Sequence, residues 1–131
     1  MIRTRLALLA TAVLLPAAAA QATTYECRVT AVWSPLTIPE RSYLARTRPS
    51  LRLHDSDDGT DVLRCTRDPA RKKRTCRTIP IDWMAEDPAH GSRKFYQFAT
   101  HYDLQLFADR TFVENDGNGV ILHGKCRITE G

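Results

Sequence analysis

The chain has 131 residues, with 19 Lys and Arg against 15 Asp and Glu, and four cysteines. That length holds one ordinary domain, and 43% hydrophobic with 26% charged residues excludes a disordered, collagen-like or multi-span membrane chain. The net charge of +4 is unevenly placed, so its distribution carries more information than its sum.

The first segment, residues 1–22, reads as a signal peptide. Arg3 and Arg5 precede an apolar run from Leu6 to Leu15, Pro16 breaks it, and Ala20-Gln21-Ala22 supplies a small-x-small cleavage pattern before Thr23. Cleavage after Ala20 is the alternative. The apolar run has ten residues, half of the roughly twenty that span a bilayer. Cys27 follows Thr24-Tyr25-Glu26, which is not a lipid-attachment pattern. The expected product is periplasmic or secreted, with residues 23–131 as a single β domain. Losing the leader removes Arg3 and Arg5 and no acid, so the net charge falls from +4 to +2.

Alternation with a period of two then dominates. In "YECRVTAVW", residues 25–33, Tyr25, Cys27, Val29, Ala31 and Trp33 fall on one face, which predicts a half-buried strand. Residues 34–49 contain Pro35, Pro39 and Pro49 and read as a long loop or irregular edge. "SLRLH", "DSDDGTD" and "DVLRCT" predict strand, turn at Asp58-Gly59, and strand. Asp55, Asp57, Asp58 and Asp61 crowd that turn. Its Gly is fifth and Thr66 is twelfth, against the EF-hand requirement for Gly sixth and Glu twelfth, so a tight acidic turn is the preferred reading.

Next comes "CTRDPARKKRTC", residues 65–76. Between Arg64 and Arg77 seven basic residues face one acid, Asp68, a local charge of +6 that leaves −4 for the rest of the mature chain. All four cysteines lie beyond the leader. In an oxidising compartment two disulfides are the default, with three connectivities open; the Asp68-Pro69 turn favours Cys65 with Cys76, and therefore Cys27 with Cys126. The cysteine intervals of 37, 10 and 49 residues contain no close pair of the kind zinc sites use, so no metal is assigned. Solvated charge at a hairpin tip is the plainer account of the basic run. The alternative is a contact element, with Arg67, Arg71, Lys72, Lys73, Arg74 and Arg77 meeting phosphate or carboxylate groups on a loop already ordered by its staple. An anionic envelope component or an acidic protein surface fits that chemistry, with neighbouring aromatics setting specificity. Nucleic acid ranks lower, since the loop has no aromatic on which bases could stack.

Residues 80–93 carry Pro80, Pro88 and Trp83 and suggest one short helical turn capped by Asp82. "KFYQFAT", "YDLQLFA", "RTFVEN" and "GVILHGKCRI" are strand-length segments. In the last, Val120, Leu122, Gly124, Cys126 and Ile128 share one face. "ENDGNG", residues 114–119, reads as another turn. The expected fold is all-β, a small antiparallel barrel or sandwich of about seven or eight strands, stapled by disulfides.

No catalytic constellation or cofactor motif is assembled. His54, His90, His101 and His123 have no paired-ligand spacing, no Ser sits in G-x-S-x-G, and the cysteines are used in disulfides. His101 with Asp103, expected on one strand face, and Glu114 with Asp116 are the only acid-base pairings of note.

"YECRVTAVW" and "GVILHGKCRI", with "DLQLFADRTFVENDGNG" between, resemble small exported proteobacterial proteins whose terminal strands each carry a cysteine. The leader, single β-barrel and disulfides are also similar in architecture to periplasmic C-type lysozyme inhibitors; no inhibitory residue carries over. The sequence thus predicts an exported, non-catalytic binding protein using its basic loop. A secreted inhibitor of a host or competitor enzyme is the alternative, and a small hydrolase the third.

Overall fold

The computed structural model describes residues 10–14, 21–34 and 40–131. The expected leader falls largely outside them, as does the Pro35–Pro39 part of the expected loop. Nine strands form one antiparallel sheet: β1 Ala22–Trp33, β2 Ser50–Ser56, β3 Gly59–Asp68, β4 Lys73–Pro80, β5 Trp83–Asp87, β6 Ser92–Gln97, β7 Tyr102–Phe107, β8 Thr111–Asn115 and β9 Ile121–Glu130. A helix, α1, spans Glu40–Thr47. The strand order β4-β3-β2-β1-β9-β8-β7-β6-β5 puts the first and last strands side by side in the middle, with a meander on either side.

The sheet is curled into a half-barrel, and two side chains measure the curl. Arg93 on β6 donates to Asp55 on β2 at 2.6 Å and to the Tyr25 hydroxyl on β1 at 2.9 Å. In a flat sheet, five strand spacings of about 4.8 Å would hold β2 and β6 some ~24 Å apart. The two meanders therefore face each other across a common interior. Tyr25, Leu53, Val62, Phe95, Leu104, Phe112 and Leu122 fill it, each at most 9% exposed. The edges β4 and β5 are joined through Ile81 and Asp82, whose amides donate to Thr60 and Tyr96 carbonyls and so continue a ladder on each side.

Three local expectations are corrected. The segment 34–49 is not wholly irregular, because α1 occupies 40–47. Glu40 lies in its first turn and Arg46 in its last, as the helix dipole favours. Tyr43 and Leu44 pack against the core, and these two adjacent apolar residues give no amphipathic repeat to read. The turn expected in 80–93 is a strand, β5, and Asp82 accepts from the Phe98 amide rather than capping a helix. On β1 the predicted alternation fails after Val29. A register shift between Val29 and Ala31 turns Val32 inward, at 9% exposure, and leaves Trp33 58% exposed. Gly124 lies opposite Val29, and a Cβ there would meet the Arg28 carbonyl oxygen at 1.9 Å, so the close approach beside the bulge requires glycine.

Both favoured disulfides are formed. Cys27–Cys126 joins directly opposed residues of β1 and β9 within the core, and Cys65–Cys76 joins β3 to β4. No described helix is long and apolar enough to cross a membrane.

Candidate functional site: a basic groove on the outer face

The β3–β4 hairpin divides the six candidate basic residues rather than presenting them together. Asp68 accepts from the Ala70 and Arg71 amides at 2.9 and 3.4 Å, closing a turn in which Lys72 takes a positive φ of 52°. Arg71 and Lys72 are exposed at this tip. Strand alternation puts Arg67 and Arg74, which are opposite each other, on the outer face with Cys65 and Cys76. Lys73 and Arg77 fall on the other face, Arg77 opposite Arg64. Arg74 folds back onto the start of β2, donating to the Arg48 carbonyl at 3.2 Å and to the Ser50 hydroxyl.

Arg74 thereby enters a groove of about 1220 Å³ on the outer face. The Cys65–Cys76 side of the sheet forms one wall, and the β7–β8 turn, Ala108–Arg110, forms the other. Arg28 from β1, Arg52 from β2, Arg74 from β4, Arg110 from the turn, and Lys125 and Arg127 from β9 line it. Against these six cations stand two carboxylates, Glu26 and Asp109. Cross-strand register explains the convergence: Arg28 lies opposite Lys125 on one side and Ser50 on the other, and Ser50 lies opposite Cys65. Glu26 in the next row lies between Arg52 and Arg127 and bonds both at 3.0 Å. Arg127 first, then Arg52, hold its carboxyl below the usual carboxylate range. Asp109 is held low by its Thr111 hydrogen bonds first, and Lys125 adds to the effect. Arg28, Arg110 and Lys125 form no ion pair with any described residue.

The sequence reading found only Arg74 of this set. The others are single charges in four separate segments, and only the β1–β9 pairing and the curl of the sheet unite them. Period-two alternation already put Arg28, Lys125 and Arg127 on polar faces, which was the available signal. The expected aromatic neighbours are elsewhere: Trp83 and Phe98 are about 60% exposed near the β5–β6 edge, and no aromatic lines the groove.

A second charged cluster is internal. Glu114 on β8 is fully buried and accepts from Arg64 Nε at 2.9 Å and the Tyr102 hydroxyl at 2.7 Å. Arg64 Nη2 is buried with no hydrogen-bond partner among the described residues. Burial pushes the Glu114 carboxyl above its ordinary value, against the pull of Arg64 and Tyr102. Burial also raises the Tyr102 phenol well above its own, and Glu114 adds to this. Glu114 and Tyr102 are closed off from solvent and the Arg64 side chain is 12% exposed, and the cluster ties β3, β7 and β8 together.

The remaining pairings separate. His101 is in a turn, with φ 55°, not on the strand face with Asp103, which is 3.7 Å from Lys94. Asp116 serves its turn, accepting from the Asn118 and Val120 amides, and is not a partner for Glu114 in an open site. In the acidic turn Asp55 binds Arg93 and Thr60, while Asp57 binds the Gln21 amide. His54 Nδ1 is hydrogen-bonded to the Thr24 hydroxyl at 3.0 Å, and His90 Nδ1 to Asp87 at 2.7 Å. No protein-family model, curated protein or solved structure matches the chain.

Proposed function

We propose that the chain is an exported binding protein that acts without catalysis, and that it captures anionic groups in the outer-face groove rather than at the hairpin tip alone. One observation carries this: six cations from separate strands and a turn converge on a groove with two carboxylates, and four of the six, Arg28, Arg74, Arg110 and Lys125, form no ion pair with any described residue. Fixed strands hold these charges, so little side-chain and loop entropy is lost when phosphate or carboxylate groups bind. The two disulfides suit an oxidising compartment outside the cytoplasm, where an anionic envelope component or an acidic protein surface is the ligand class. The enzyme-inhibitor reading uses the same stapled hairpin, with Arg71 and Lys72 exposed at its tip. The likeness to periplasmic lysozyme inhibitors adds no residue to it.

The test is titration with inorganic polyphosphate at two salt concentrations. Replacing Arg28 and Lys125 by Gln is expected to weaken binding by roughly tenfold and flatten its salt dependence, as expected when charges that contact phosphate are removed. Replacing Arg71, Lys72 and Lys73 should cost less. A larger loss from the tip variant, or none from the groove variant, overturns the assignment.

A further inference from the structure

The groove does not end at its basic part. A second depression of about 520 Å³ shares Glu26, Arg52 and Leu63 with it and continues along the strands. The register resolves this surface into three cross-strand rows. In the first, Lys125 and Arg28 lie beside Ser50 and Cys65. In the second, Arg127, Glu26 and Arg52 neutralise one another in part through the two 3.0 Å ion pairs. In the third, Glu130 lies opposite Thr24, Thr24 opposite His54, and His54 opposite Asp61. That last row has two carboxylates and no Lys or Arg. Polarity therefore reverses along the strands, from cationic through balanced to anionic.

The two sequence motifs with the densest charge lie at the matching ends. β3 runs from the acidic turn that includes Asp57 and Asp58 to the basic turn that includes Arg71 and Lys72. The gradient over the three rows is thus extended at both ends by the hairpins.

We infer that the groove binds an extended peptide segment of a partner protein, carrying an acidic side chain over the Arg28–Lys125 row and a basic side chain, four residues away, over the Asp61–Glu130 row. This inference rests on the anion-binding reading of the basic part and adds the second half of the ligand. Along β1, β2 and β3 the rows are two residues apart, about 6.6 Å, with one extra residue on β9 at the register shift before Glu130, and the outer rows are about 13 Å apart, which is the repeat of same-face side chains on an extended peptide laid along the strands. The middle row is largely balanced, so it suits a small uncharged side chain at the intervening position. Like charges over either outer row would be repelled, which makes the reversal a device for selecting partners as well as attracting them.

The test uses fluorescently labelled, net-neutral Ser-rich peptides of one composition, each with an Asp pair and a Lys pair, centred four residues apart, adjacent, or eight apart. Anisotropy titration of the full exported chain is expected to favour the four-residue spacing by roughly five- to tenfold, the sum of a few exposed charge pairs. Asp61→Asn with Glu130→Gln should abolish that preference. The double variant is checked for native circular dichroism. Equal affinity for all three spacings, or an unchanged preference in the Asn/Gln variant, overturns the inference. So does tighter binding of a zwitterionic polysaccharide than of the best peptide. Wild-type binding of inorganic polyphosphate separates the two claims: if it persists while spacing has no effect, only the dipolar inference fails, and if it is absent the anion-binding reading fails as well.

Discussion

Inside the curl, Arg64 binds a Glu114 with no exposed surface; outside it, Arg52 and Arg127 bind a Glu26 whose side chain is 34% exposed. The pairs have the same chemistry and nearly the same lengths, 2.9 and 3.0 Å. Surroundings decide what each does. Within the sheet, desolvation makes both charges dependent on each other, so the pair fixes how the meanders meet. On the outer face water supports each charge alone, so the pair adds little to folding and its net charge stays open to a ligand. The disulfides differ too: Cys27–Cys126 belongs to the core and lies at the base of the groove, whereas Cys65–Cys76, with Cys76 exposed, staples the hairpin that carries Arg74 into the groove.

The largest expected effect comes from that division of disulfides. Cys27 and Cys126 are 99 residues apart and Cys65 and Cys76 are 11 apart. Loop-closure entropy makes the first worth about 4.7 kcal/mol and the second about 3 kcal/mol. Urea denaturation of the Cys→Ser pairs should give that order. Polyphosphate affinity should instead fall more when Cys65 and Cys76 are replaced. The contrast between core and surface fails if one disulfide dominates both measurements.

Next in size is the interior pair. Glu114→Ala strands the Arg64 charge and the Tyr102 hydroxyl in the core and is expected to cost about 3–5 kcal/mol. Arg64→Met combined with Glu114→Leu removes both charges and should recover much of the loss, since a matched apolar pair avoids the desolvation cost. A double variant as unstable as the single one would mean that the network contributes more than its mutual dependence.

The pH profile tests the same interior more finely. Glu114 is raised in the folded protein above its ordinary value of 4.5, so its contribution to stability is fully present below that pH. It is lost as pH rises through the folded value. Glu26 is lowered, so its contribution is present above 4.5 and lost as pH falls through its folded value. The stability of wild type relative to Glu114→Gln is therefore expected to decline on going from acid toward neutral pH. A rise over that range would show that the Arg64 charge outweighs burial.

The all-β class, the turns at Asp58-Gly59 and 114–119, and the disulfide pairs were legible because each rests on neighbours in sequence: alternation, Asp and Gly in turns, and a short loop between two cysteines. What escaped depends on distance. Glu114 looked like one of two acids near a turn, and only the curl brings Arg64 and Tyr102 to it. The outward swing of Trp33 follows from a bulge that period-two counting passes over. The basic loop drew attention because its charge is consecutive, yet a strand gives consecutive residues to opposite faces. Lys73 and Arg77 are thus parted from Arg67 and Arg74 by the geometry that makes the loop a hairpin.

The smallest expected change bears most directly on the groove. Glu26 is the carboxylate that engages Arg52 and Arg127, and its removal leaves an amide of the same shape at the boundary between the basic and acidic parts. Glu26→Gln should leave the melting temperature close to wild type, because an exposed pair returns its charges to water at little cost. Polyphosphate affinity should rise by roughly two- to fivefold as two arginines lose their internal counter-ion. Selection by a dipolar peptide should weaken at the same time, since excess positive charge then reaches into the middle row. Tighter polyphosphate binding with sharper peptide spacing would contradict the three-row arrangement, because only a balanced middle row separates the two ends.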